Sequence, residues 1–237
     1  MCGRYCYTLP VEAMRRLFEF PELPNLMPRW NVAPGQGVPA VRMRADGRGR
    51  ELAILTWGLV PPWADDPKIA YRMINARAET VQEKPAFRHA FRRRRCLLPA
   101  DGFYEWMPPA PGAKAKQPWR IGLPGDAPFA FAGLWEQWMG KDGSEIESCT
   151  IVTTEAAPAI AHIHARMPVI LAPGSHAAWL AGEPDAAAAL LRPYGGELVA
   201  RPVSTRVNDV RNDDPSLLDP PLPDPPAVQQ PRQLDLL

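Results

Sequence analysis

Asp101-Gly102-Phe103-Tyr104-Glu105-Trp106 is the run from which the class of fold can be read. Aromatic side chains suit a pleated, partly buried surface, so these residues predict a strand over 102–107, with another just before it at 96–98. Successive side chains of a strand face opposite ways, which puts Glu105 on the face away from Tyr104 and Trp106. On either side, further strands are expected at 38–44, 51–57, 119–123, 129–138, 147–154 and 198–203. The spacing of Val11, Met14, Leu17 and Phe18, opened by Pro10 and closed by Pro21, predicts a short helix over 10–20. Other short helices are expected near 85–95, 156–161, 175–181 and 185–191, and a helical turn opens at 74–80. The stretches 24–39, 57–63 and 108–117 read as loops. Helices and strands alternate without a βαβ rhythm, so the class is α+β with mostly antiparallel sheet.

Composition agrees. The 237 residues include 30 prolines, against about 12 at an average usage near 5%. Interior proline removes a donor and clashes with the preceding turn, so long helices are excluded. A hydrophobic fraction of 46% allows a sizeable core, and a net charge of +1 means that any nucleic-acid contact must come from a local basic patch. Nothing approaches 18 consecutive apolar residues, so no membrane span is expected. The charged N-terminus lacks a secretory pattern, and Cys2, Cys6, Cys96 and Cys149 have no paired C-x-x-C spacing. A cytoplasmic protein with reduced thiols is the expectation.

Met1-Cys2-Gly3-Arg4-Tyr5 is the chemically richest segment. A small residue at position 2 favours removal of Met1, which would make Cys2 the N-terminus. An α-amine with a reference pKa of about 7.7–8.0 would then sit one carbon from a thiol of about 8.5. A 1,2-aminothiol condenses with an aldehyde to an imine, and its sulfur closes a thiazolidine ring. The alternative is that Cys2 is a small buried core residue.

Such chemistry needs an acid to protonate the departing oxygen. Glu105 is the candidate, because burial in an aromatic strand would raise its pKa; the alternative is a strand-surface glutamate. His164 and Arg166, two apart, would project to one side of an extended backbone and suit a phosphate or sugar hydroxyl. His162 and His164 could instead be metal ligands, but no third ligand of suitable spacing appears. His89 and His176 fall among apolar helical residues and read as structural. Arg4, Arg77 and Arg166, with Trp63 and Trp106 near them in sequence, match the cations and stacking platforms of single-strand binding sites. The run 92–95 reads as a solvated helix end.

Six segments occur in register: the N-terminal five residues, Asn31-Val32-Ala33-Pro34, Trp57-Gly58-Leu59 with Trp63, Asn75-Ala76-Arg77-Ala78-Glu79-Thr80, Gly102-Phe103-Tyr104-Glu105-Trp106, and His164-Ala165-Arg166-Met167-Pro168. Together they resemble the SOS-response-associated peptidase (SRAP) family of abasic-site processing proteins, over residues 1–218. The resemblance implies a single domain of strands curled around a core and flanked by short helices. It implies a thiazolidine crosslink to an abasic site in single-stranded DNA, with Cys2 as nucleophile, Asn75 positioning the amine, Glu105 as general acid/base and His164 assisting. Arg4, Arg77 and Arg166 would hold phosphates, and Pro34, Trp63, Trp106 and Thr153 would line the strand's path. No cofactor or metal is implied, and a monomer is expected.

The rival reading is an N-terminal-nucleophile cysteine peptidase or amidohydrolase, with Cys2 served by its own amine or by His164. From residue 219 the proline-rich sequence is expected to be a disordered tail. Its end, Gln233-Leu234-Asp235-Leu236-Leu237, resembles the peptide by which bacterial proteins dock on the replicative sliding clamp, through Gln233, Leu234, Leu236 and Leu237.

Overall fold

The computed structural model describes residues 2–109 and 115–221. In chain order the first strands are β1 (Tyr5–Tyr7), β2 (Arg29–Val32), β3 (Gly37–Met43), β4 (Arg50–Trp57), β5 (Asn75–Arg77), β6 (Arg95–Ala100) and β7 (Gly102–Met107). They are followed by β8 (Gln117–Gly122), β9 (Phe129–Met139), β10 (Glu145–Glu155), β11 (Arg166–Pro168), β12 (Ile170–Leu171) and β13 (Val199–Pro202). Among the described residues four short α-helices flank them: α1 (Val11–Phe18), α2 (Arg88–Arg93), α3 (His176–Ala181) and α4 (Pro184–Ala188).

One sheet has the antiparallel order β13-β8-β7-β1-β2. In the other, β10, β4, β3, β6 and β9 follow one another, and β9 pairs back onto β10, so these five strands close on themselves. Closure leaves no open edge in that ring. Within it, Val41 pairs with Leu97 and Arg42 with Cys96. Continuing that register would set Pro39 opposite Pro99. Neither has an N–H to give, so the ladder stops there while each strand keeps its other neighbour.

The two sheets share one core. The Tyr5 ring packs edge-on against Trp57 at 5.3 Å and Phe131 at 5.5 Å, and Phe103 meets Phe131 at 6.2 Å. Helix α1 buries Met14 and Phe18, and ends where Glu19 turns left-handed and donates its N–H to the Arg15 carbonyl. His176 is buried and stacks on Phe18. The 92–95 run is not simply a solvated end: Arg94 pairs with buried Glu136, and Arg95 is buried against carbonyls of Phe91, Trp179 and Gly182.

Three expectations need correction. The stretch 74–80 begins as strand, because Asn75–Arg77 runs parallel to β10, with Ile151 opposite Asn75 and Thr153 opposite Arg77. The helix expected over 156–161 is absent: residues 158–163 form turns. The 24–39 loop contains β2, which pairs with a three-residue strand, β1, that was not expected. Just past residue 218, Ser204 N–H donates to the Asp219 carbonyl at 3.2 Å. Met1, residues 110–114 of the 108–117 loop, and the tail from 222 with its Gln233, Leu234, Leu236 and Leu237 motif lie outside the described residues.

Candidate functional site

The register of β1 with β7 builds the centre of the site. Tyr5 lies opposite Phe103 and Cys6 opposite Gly102, so the same register carries Gly3 alongside Glu105. Strand alternation holds: Phe103 joins the main core, whereas Tyr104 and Trp106 pack under the C-terminal segment with Val203, Val207 and Leu217. Glu105 faces inward and is 4% exposed. Burial pushes its carboxyl above the ordinary carboxylate range, opposed in part by the positive charge His164 can carry.

Cys2 is buried beside it. The Asn75 side-chain amide donates to the Cys2 carbonyl at 2.8 Å, which fixes the backbone of residue 2. Burial and then the Glu105 charge push the Cys2 thiol up, so it holds its proton at neutral pH. His164 Nδ1 lies 3.9 Å from Glu105 Oε1. The same nitrogen lies 3.0 Å from both the backbone nitrogen and the carbonyl oxygen of Arg166. The imidazole thus folds back onto the start of β11 instead of projecting in parallel with Arg166.

The second sheet supplies the surroundings. Strand β10 carries β5 on one edge and β11 on the other, which brings Asn75, Arg77 and Arg166 to a common mount. Arg77 is exposed. Arg166 forms a two-pronged pair with Glu79 at 2.8 and 3.0 Å and donates to the Thr153 carbonyl at 2.7 Å. Thr153 itself is fully buried, so it anchors Arg166 and offers no open surface.

A groove of about 610 Å³ opens beside Asn75 and is lined by Trp63, Arg72, Arg77 and Lys84 over an apolar floor that includes Phe87. Trp63 stands 58% exposed at its wall. Gly58 lets the chain reach it: its φ is +132°, and a Cβ there would meet the Ala70 carbonyl oxygen at 2.9 Å. Arg4 and Trp106 form a separate group. Arg4 donates to Asn31 Oδ1 and the Val207 carbonyl, both at 2.8 Å, and its guanidinium lies 5.8 Å from the Trp106 ring. Pro34 sits in the turn between β2 and β3 and is not among the groove-lining residues.

Sequence reasoning gave no role to Arg72, Lys84, Asn31 or Glu79. The first two flank the Asn75–Thr80 segment as cations, a signal that was available. Asn31 and Glu79 lay inside quoted motifs, but their partners, Arg4 and Arg166, are set only by the tertiary fold.

Comparison with known proteins bears on this geometry. The chain is 44% identical over 226 residues to the abasic site processing protein YoaM of Bacillus subtilis, covering 92% of this chain and 97% of that one. It is 31% identical over 264 residues to the abasic site processing protein HMCES of Xenopus tropicalis, covering 92% and 78%. A crystal structure of a Bacteroides thetaiotaomicron protein superposes with a TM-score of 0.83 at 25% identity, covering 93% of this chain and all of that one. The family model described as SOS response associated peptidase (SRAP) matches residues 1–210. With its barrel, its buried Glu105 and its tethered Cys2, the chain belongs to the SRAP family.

Proposed function

We propose that the protein captures abasic sites in single-stranded DNA as a covalent thiazolidine through Cys2. The observation that carries this reading is the convergence on residue 2 of Asn75, which holds its carbonyl, and of buried Glu105 with His164 beside it. The relatives' names, abasic site processing protein, support the substrate.

Removal of Met1 would free the Cys2 amine, which adds to the C1′ aldehyde of the ring-opened sugar. Protonated Glu105 gives its proton to the resulting hydroxyl, water leaves, and an iminium remains. Glu105, now a carboxylate, takes the thiol proton as sulfur adds to C1′. The ring nitrogen ends neutral, Glu105 ends protonated, and one water is lost overall. An iminium left open would acidify C2′ and permit strand cleavage by β-elimination; saturating C1′ blocks that route. The tethered thiol needs no encounter step, so proximity supplies much of the rate. Arg77, Arg72 and Lys84, with Trp63 as platform, suit the flanking strand.

On this reading the protein acts as a monomer in the cytoplasm, any peptidase activity is confined to Met1, and the residues from 233 onward recruit it to a sliding clamp. The test is intact mass before and after incubation with a single-stranded oligonucleotide carrying one abasic site. The expected product is protein lacking Met1 plus DNA minus one water. The Cys2→Ala protein should give no adduct that survives denaturation; an adduct at wild-type yield overturns the mechanism.

A further inference from the structure

Glu79 takes no part in the chemistry above, yet it occupies the most telling position near it. Its carboxylate meets the Arg166 fork edge-on, Oε1 to Nη1 at 2.8 Å and Oε2 to Nη2 at 3.0 Å. This is the geometry in which a guanidinium also receives a phosphate. With Nη2 committed as well to the Thr153 carbonyl, Arg166 has no two-pronged edge left for DNA while Glu79 stays. Arg77 stands on the other side of β10, exposed and without an ion pair among the described residues. The Arg166 hydrogen bonds, with the Arg77 charge behind them, hold the Glu79 carboxyl below its usual range, so it is an anion at working pH.

Glu79 has somewhere else to go. It lines a cavity of about 500 Å³ whose lining also includes Arg192, an exposed cation without an ion pair among the described residues. Glu155 lines the same cavity and opposes the move, so Arg192 is the group that would receive the carboxylate. An ion pair whose acid is half exposed is weakly held, so exchange is feasible.

We propose that Glu79 fills the seat of a backbone phosphate between Arg166 and Arg77, and that an entering strand displaces it towards Arg192. This rests on the DNA reading of the site. Exchanging one anion for another gains little, so Glu79 keeps reversible binding of undamaged strands weak and leaves selection to the covalent step. Glu79 is therefore a specificity residue, not a catalytic one.

The test is the affinity of a short unmodified single-stranded oligonucleotide, read by anisotropy between about 50 and 200 mM salt in the Cys2→Ala background. Glu79→Gln should tighten binding by about threefold to tenfold. It should also steepen the salt slope by about 0.7, the increment for one more phosphate on a single strand. Glu79→Asp keeps the charge and should keep the wild-type slope. Glu83→Gln, the same charge change at an exposed residue of the same turn, should leave the slope unchanged. Arg192→Gln should weaken binding. Looser binding or an unchanged slope in Glu79→Gln, or an equal effect from Glu83→Gln, overturns the proposal. An unchanged affinity in Arg192→Gln overturns the second seat. Binding that is present but indifferent to Glu79 leaves the DNA reading intact, whereas no binding by any variant at low salt overturns both.

Discussion

Glu105 links stability and chemistry through one proton. Burial raises its folded-state pKa, so the folded protein keeps the proton to higher pH than the unfolded chain does. The stability this contributes is present at low pH and is lost as pH rises from the ordinary value near 4.3 through the raised one. Glu105→Gln removes that loss. Its melting temperature relative to wild type should climb across the same interval, as checked by melts at stepped pH. On the proposed mechanism, in which Glu105 is the general acid, the variant's crosslinking rate should fall about a hundredfold or more in single-turnover assays. A variant slower and also less stable at neutral pH would mark Glu105 as a structural residue. The carboxylate's position was legible in the sequence because strand alternation alone sets it opposite Tyr104 and Trp106. The commitments of Arg166 to Glu79 and of Arg4 to Asn31 were not, because those pairs join residues 87 and 27 positions apart.

Among the elements, the C-terminal segment does more than finish the chain. Asp213 accepts the backbone N–H groups of Trp30 at 2.6 Å and Asn31 at 2.9 Å and pairs with Arg29, closing the outer side of β2. Asn31 in turn donates to the carbonyls of Asp209 and Asn212, and Arg4 to that of Val207. Asp213→Ala leaves two N–H groups without their acceptor, so a loss of about 1.5–3 kcal/mol is expected from thermal melts. Faster proteolysis within 203–219 should accompany it. The long strands were visible in the sequence, each within two residues of its observed ends, because alternation and β-branched or aromatic content are local signals. Strands β1, β2 and β5 are three or four residues long and exist only because a partner distant in sequence lies beside them. For β5 that partner is β10, roughly 76 residues on, and no local pattern could announce it.

At the scale of the whole molecule, Phe131 is where the two sheets meet, touching Tyr5, Phe103 and Phe129. Phe131→Ala should cost about 3–5 kcal/mol. For a chain of this size that lowers the melting temperature by roughly 2–4 °C per kcal/mol, measurable by circular dichroism. The class of fold and the mostly antiparallel pairing were readable from short strands and helices that alternate without a βαβ rhythm. Closure of β10, β4, β3, β6 and β9 into a ring was not, because it depends on β9 finding two partners at once.

Strand β10 is at the same time a stave of that ring and the rail on which Asn75, Arg77 and Arg166 are mounted. Such a design leaves no partly melted species that still works. Heat inactivation and loss of ellipticity, followed side by side on one sample, should trace a single sigmoid.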